Sequence, residues 1–428
     1  MSDQFYPELP FGLVTLLFVL CSLQTGLPRV FSFPLAAVAF GLRTIGIVLL
    51  MAWAFEGLLR REFKAGAVRL LACMALAGSW AGFIRHIENG EEYKHPVYSY
   101  QRADYAYINV SYARNMKFKD TFSPELGYAT WRDKMVGFLH NSRVMARALG
   151  EAVSVTEPQG RFLWDRSNQR IGLNLLPGWT VKMILFALSG GIVTGLGVFM
   201  FKRHYLISLY VLFSLAVMCA TPWSWLFYRY LTPLAPFLIL LLLVGLCAAW
   251  GRVHRALATK SSPFPYHDFV ATVVGLILIC EAGTLLKVYK SWHQPVTYMR
   301  NGKEVEYRLF FLDSRQRATE PALEFVKAKA HDSDVVAATE PQWSYLLTDL
   351  KTVIPPFEID PAKAQRLLDS VPVRFLMVDD SVYHKYTAPV ITANPERWRR
   401  VYVASTQDNQ GQAGTFEILR ADQLKNSN

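Results

Sequence analysis

The chain has 428 residues, is 52% hydrophobic and 14% aromatic, and carries a mean hydropathy of +0.17 with a formal charge of +11. Long uncharged runs with that balance exclude a soluble enzyme and describe a polytopic membrane protein. The lysines and arginines cluster beside apolar runs and form no basic face, which excludes nucleic acid as a partner and marks bilayer topology instead.

Taken in order, apolar runs occupy 9–25, 31–59, 66–84, 179–201, 205–221, 230–250 and 268–287, measured against the ~20 residues a helix needs to cross the hydrocarbon. The second run is too long for one helix and holds Gly41, Arg43 and Gly46 at its middle. Because an arginine at mid-bilayer is costly, the sequence predicts two short helices, 31–42 and 45–59, meeting at an interfacial turn GLRTIG. The expected fold is mainly α, a polytopic helical protein of about eight membrane segments. Residues 1–84 form membrane helices with a hairpin around Arg43, 85–178 an outer loop with amphipathic surface helices, 179–287 further membrane helices, and 288–428 an outer α/β domain.

Within the loop, HNSRVMARALGEAV reads as a helix lying on the membrane surface. In the tail, a helix at PALEFVKAKA precedes strand-like runs DVVAATEP, VRFLMVDD and GTFEILRAD, with helix-like DPAKAQRLLDS between them. Asp379 and Asp380 read as turn residues after a buried strand. The five cysteines all fall in apolar runs without metal or disulfide spacing and read as packing residues. The amino terminus lacks the basic region that opens a signal peptide.

Three basic clusters, Arg60/Arg61/Lys64, Lys202/Arg203/His204 and Arg252/His254/Arg255/Lys260, fall beside span ends of one parity. The positive-inside rule makes that side cytoplasmic. By alternation Met1 to Pro10, the turn at Arg43, the loop 85–178, the lip at Arg229 and the tail from 288 lie outside. That agreement depends on splitting 31–59 into two helices.

No nucleotide loop, HExxH, GxSxG or CxxC occurs. The polar candidates gather where helices meet the outer face: Asp3 and Glu8, Arg43, Arg85 with His86, Glu91/Glu92 with Lys94 and His95, Arg102 with Asp104, and Arg229 between Tyr228 and Tyr230. Singly, each is an ordinary interfacial charge, and Arg229 in its tyrosine pair is an aromatic-belt anchor. Together, arginines from three segments on one leaflet are what a lipid phosphate requires, because a guanidinium presents two parallel donors to an anion.

The run RYLTPLAPFLILLLL, beginning at Arg229, resembles the RYLLPLLPFL segment of bacterial GT-C membrane glycosyltransferases related to the dolichyl-phosphate-mannose protein mannosyltransferases. Upstream, MSDQFYPELPFGLVTLLFVL resembles the family's Ser-Glu/Asp-x-Pro helix start, with Pro7 displaced. FPLAAVAFGLRTIGIVLLMAWAFEGLLRREFKAG resembles its Arg-Pro-x-Gly hairpin, with Thr44 where proline is common. ALAGSWAGFIRHIENGEEYKHPVYSYQRADY resembles the exit into the outer loop, with Ser79 for proline and His86 for asparagine. DVVAATEPQWSYLLTD and VRFLMVDD resemble the outer domain.

The resemblance implies a multi-pass protein of the bacterial inner (plasma) membrane with its carboxyl-terminal domain in the periplasm. It implies transfer of a sugar from a polyprenyl-phosphate donor to an envelope acceptor. Arg43, Arg229, Tyr230 and Arg85 would hold the donor phosphate, and Asp3, Glu8 or Asp104 would serve as base or as ligand to a divalent cation; no other cofactor is implied. The family's usual catalytic carboxylate lies in a first outer loop that would precede Met1. Either the reading frame would then start late, or a second chain would supply that front half, or the protein would be a non-catalytic scaffold or accessory subunit of a glycan assembly system.

Overall fold

The computed structural model describes residues 8–24, 26, 30–96, 112–171, 179–222, 227–256, 266–292, 296–300, 303–307, 314–379, 383–407 and 413–421. The chain is mainly helical, with a small sheet near its carboxyl terminus, and divides into two compact units. One comprises residues 1–87 and 134–286, the other 88–133 and 287–428.

Among the described residues the first unit is built of helices, of which α4, α5 and α11 run a few residues past its bounds: α1 (Glu8–Leu23), α2 (Ser32–Leu42), α3 (Ile47–Leu59), α4 (Phe63–Asn89), α5 (Trp131–Ala152), α6 (Glu157–Ile171), α7 (Trp179–Phe201), α8 (Tyr205–Ala220), α9 (Phe227–Leu231), α10 (Ala235–Ala256) and α11 (Tyr266–Trp292). The stretches Phe63–Asn89, Trp179–Phe201, Arg229–Arg252 and Asp268–Leu286 are long and apolar enough to cross a membrane. Glu8–Leu23, Ser32–Leu42, Thr44–Leu59 and Tyr205–Ala220 are apolar but shorter. Among the described residues four stretches, not eight, therefore meet the length criterion.

The long run 31–59 does break at Arg43. Its backbone is extended (φ −150°, ψ 131°) between α2 and a single 3₁₀ turn, Thr44–Gly46. Gly46 has to be glycine: a Cβ there would lie 2.6 Å from the Phe40 nitrogen, too close for any side chain in so sharp a reversal.

Contacts along these helices order the unit from end to end. α1 and α2 are antiparallel, with Glu8 and Arg43 meeting at one end and the Ser22 hydroxyl donating to Ser32 at the other, 3.0 Å. α3 leads away from Arg43 for about 20 Å, at 1.5 Å per residue, and its far end meets the start of α8, where Arg60 donates to the Arg203 carbonyl at 3.3 Å. Higher up, Phe55 and Phe213 meet edge to face at 5.5 Å, so α3 and α8 are antiparallel. Both α3 and α7 end in the same cap, in which a left-handed arginine, Arg61 or Arg203, takes the place usual for glycine. The amides of Glu62 and His204 then bond back to the carbonyls of Gly57 and Phe199. Basic side chains beside these carbonyl ends also suit the helix dipole. Two of the basic clusters thus share one end of the unit, and Glu8 and Arg43 lie at the other.

The second unit holds a hairpin, β1 (Val296–Arg300) with β2 (Lys303–Tyr307), and a five-stranded sheet. Strand order is β4-β3-β5-β7-β6, with β4 (Lys351–Val353), β3 (Val335–Ala337) and β5 (Val373–Asp379) parallel and β7 (Ala413–Ala421) and β6 (Trp398–Gln407) antiparallel. α12 (Ser314–Lys329) covers one face through Ala318, Ala322 and Val326 against Val336, Phe375 and Met377. Ala364 and Leu368 of α14 (Pro361–Asp369) and Val390 of α15 (His384–Ala393) cover the other, against Val335, Ala337 and Leu376. Alternate residues of β3 thus feed opposite cores, as a sheet covered on both faces requires. α13 (Pro341–Thr348) links β3 to β4.

Residues 88–133 cluster with the tail and 134–178 with the helices. Two expectations change here. The stretch HNSRVMARALGEAV does not lie with its apolar face on a lipid surface, because Asn141, Met145, Ala148 and Leu149 are buried in the helical core. Asp379 is not a turn residue. It ends β5, is buried, and accepts a hydrogen bond from the Thr339 hydroxyl at 3.0 Å, as a carboxylate withdrawn from water must. Asp380 lies outside the described residues.

Candidate functional site

Glu8 opens α1, where the free amides of a first turn favour an acidic side chain. One turn on, Gly12 packs against Pro233, its absent Cβ leaving 3.5 Å to the proline Cα. That approach brings the 3₁₀ turn Thr232–Leu234, and α9 just before it, onto α1. Arg229, one turn before Pro233 on α9, thereby reaches Glu8.

The Glu8 residue is 4% exposed. Its Oε1 is paired with Arg43 Nη1 at 3.0 Å and with Arg229 Nε in direct contact. The Arg43 guanidinium also lies over the Tyr230 ring, 5.7 Å from its centre, a cation–π placement that holds it against the lip. Oε2 of Glu8 is buried without a hydrogen-bond partner among the described residues. The Arg43 side chain is 17% exposed and that of Arg229 44%. Of the two guanidiniums against this carboxylate, that of Arg229 is the more exposed and forms the outer side of the cluster.

Such an arrangement can take an anion at the arginines and a hydrogen-bond donor at Oε2. It is a poor seat for a divalent cation, since two guanidiniums already occupy the carboxylate. Among the described residues no group of three or more His, Cys, Asp or Glu is placed to hold a metal ion.

Four of the seven residues singled out from sequence, Glu8, Arg43, Arg229 and Tyr230, therefore meet. Arg85 is exposed near the end of α4 and forms no ion pair with Glu8 among the described contacts. Asp3 and Asp104 lie outside the described residues.

Sequence reasoning missed Asn141. Its amide donates to the carbonyls of Cys219 at 3.0 Å and Thr221 at 2.7 Å, tying α5 to the end of α8. A polar residue on the apolar stripe of an amphipathic helix was the signal available. It also missed Glu157, buried at the start of α6 and gripped by Arg147 at 2.7 Å, Arg161 at 2.6 Å and Lys182 at 3.6 Å. Burial raises the Glu157 pKa, but Arg161, Lys182 and Arg147 outweigh it and the net shift is downward.

Comparison with family models, curated proteins and solved structures yields no match to this chain.

Proposed function

We propose that the protein transfers a sugar from a polyprenyl-phosphate donor to an envelope acceptor, in the manner of the GT-C glycosyltransferases, with Glu8, Arg43, Arg229 and Tyr230 at the donor site. The observation that carries this reading is a buried carboxylate sharing one oxygen between two arginines, one of them 44% exposed at its side chain, while its other oxygen has no hydrogen-bond partner among the described residues. As the glycosidic bond to phosphate breaks, the phosphate gains negative charge, and arginines already fixed in place stabilise that charge without reorganisation. The acceptor hydroxyl attacks the anomeric carbon and gives its proton to Oε2 of Glu8, which has the vacancy for it.

The shorter apolar helices complete about eight membrane segments in this reading, with the Arg60 and Arg203 end cytoplasmic. The Glu8 end and the tail lie outside a bacterial plasma membrane. Support comes from two basic clusters sharing the end of the helical unit opposite Arg43. A cysteine placed near residue 400, and Thr44→Cys, should both react with a membrane-impermeant thiol reagent in intact spheroplasts. Labelling only after lysis overturns the sidedness.

The decisive test is binding of undecaprenyl phosphate by the purified chain. Lysine keeps the charge of Arg229 but loses the paired donors, so Arg229→Lys should weaken binding about tenfold or more while unfolding at the wild-type temperature. If lysine binds as wild type does, Arg229 is an interface anchor. If the wild type does not bind at all, the donor site is refuted and a scaffold for glycan assembly becomes the better reading.

A further inference from the structure

The amphipathic helix α5 has two halves with different surroundings. From Asn141 onward it is packed: Met145, Ala148 and Leu149 enter the helical core. Before Asn141 only Phe138 still packs on that core; the other large apolar side chains are uncovered, with Trp131 76% exposed and Leu139 57%, and Met135 and Val136 exposed between them. Trp131, Met135 and Leu139 recur every four residues and so form one stripe along the helix. Arg132 and Arg143, both exposed, border this stripe on one side and exposed Lys134 on the other.

The height of this stripe along the unit is set by Asn141. Its two hydrogen bonds go to the carbonyls of Cys219 and Thr221, where apolar α8 stops, at the end of the unit opposite the Arg203 cap. An uncovered apolar stripe edged by cations, held where apolar helices end, matches the boundary between headgroups and acyl chains: the stripe enters the hydrocarbon edge and the cations stay with the phosphates.

We propose that the Trp131–Leu139 half of α5 is an interfacial arm that lies in the headgroup layer and binds anionic phospholipid through Arg132, Lys134 and Arg143. A tryptophan at the amino-terminal end of this helix suits that layer, where an amphipathic ring is best placed. Each cation near an anionic surface adds to the attraction and favours charged over neutral headgroups. The proposal does not depend on the glycosyl-transfer reading, since it uses none of the residues at Glu8.

The test is photocrosslinking of the full chain, reconstituted into bilayers of equal parts phosphatidylcholine and phosphatidylglycerol. A benzophenone amino acid replaces Leu139 in one protein and Leu346, also 57% exposed but on the sheet domain, in another. Illumination should give phospholipid adducts at position 139, enriched in phosphatidylglycerol, and none at 346. Combining Arg132→Gln, Lys134→Gln and Arg143→Gln should keep the adducts at 139 but remove the several-fold enrichment. Size-exclusion profiles confirm that each variant is folded. A protein–protein adduct at 139 in place of lipid would show that a second copy covers the stripe and would overturn the proposal. So would the absence of any lipid adduct there, or an enrichment that survives loss of the three cations.

Discussion

Helix α3 has a carboxylate, two arginines and an aromatic ring at each of its ends, and the two clusters are built to opposite effect. At the far end Glu56 has a cation on each oxygen, Arg60 hydrogen-bonded to Oε1 at 3.1 Å and Arg69 paired with Oε2 at 3.6 Å. Arg69 is itself buried, donates to the Trp53 carbonyl at 3.0 Å and lies 4.7 Å from the centre of that ring. At the near end both arginines of Glu8 crowd onto Oε1, Oε2 has no hydrogen-bond partner among the described residues, and the Arg229 side chain is 44% exposed. A cluster whose valences are filled locks helices together, whereas one that leaves a buried oxygen open and a cation at the surface is suited to a ligand.

The same contrast recurs in the sheet unit. Glu125 is closed, receiving Lys385 on Oε1 at 3.2 Å and the Tyr386 hydroxyl on Oε2 at 2.7 Å. Glu320 on α12 is buried with Oε2 unpartnered among the described residues. Burial and the nearby Glu324 raise its pKa. For Glu125 burial also acts upward, but the hydrogen bonds from Tyr386, its own backbone and Lys385 prevail and the net shift is downward. One carboxylate ties residues 120–126 to α15, and the other is a cost to the fold whenever it ionises.

The largest expected effect is at the closed membrane cluster. Arg69→Met leaves Glu56 buried with only half-exposed Arg60 beside it, and loss of one partner from a buried pair costs about 3–5 kcal/mol. Detergent-solubilised protein should lose most of its folded fraction in a thermal melt, and wild-type melting would show that the cluster is not a lock.

Glu8→Gln should cost less, about 1–2 kcal/mol, because the half-exposed Arg229 can turn to water and only Arg43 remains poorly compensated. The variant should melt close to wild type and, under the proposed function, fail in sugar transfer. A melt as damaged as that of Arg69→Met would erase the distinction between the two ends.

In the sheet unit, Tyr386→Phe removes the hydroxyl that donates to Glu125 and, at 2.9 Å, to the Phe122 carbonyl. A loss of about 1 kcal/mol should appear as faster amide exchange confined to residues 118–128. Unchanged exchange there would mean that the aromatic contacts of Phe122, Phe357 and Tyr383 suffice.

The smallest effects are in pH dependence, and they have opposite signs. Because the folded pKa of Glu125 is depressed below its ordinary 4.5, its contribution is present above that value and is lost as pH falls through the folded pKa. Because that of Glu320 is raised above 4.5, stability is fully present below that value and declines as pH rises through the folded pKa. Glu320→Gln should therefore slow exchange in β3 and β5 several-fold at neutral pH and have no effect below about pH 4, where the glutamate is protonated in both states. Slower exchange at acid pH as well would assign the effect to packing instead of charge.

By itself the sequence determined what depends on near neighbours along the chain. Apolar run length marked the helices, the arginine inside 31–59 marked the break at Arg43, and short apolar runs marked β3, β5 and β7, because hydropathy and helical or strand geometry act over a few residues. Charge type at the helix ends was enough to nominate Glu8, Arg43, Arg229 and Tyr230. Only the tertiary structure decided partnership: Glu8 meets a residue 221 positions away, and it does so through the packing of Gly12 on Pro233, which no local pattern encodes. The same holds for strands β4 and β6, whose residues became sheet through their neighbours, and for buried Asp379, whose hydrogen bond comes from another strand's end. The amphipathic pattern of α5 was legible, but not which half the core would cover, because an apolar stripe reads alike whether protein or lipid lies against it.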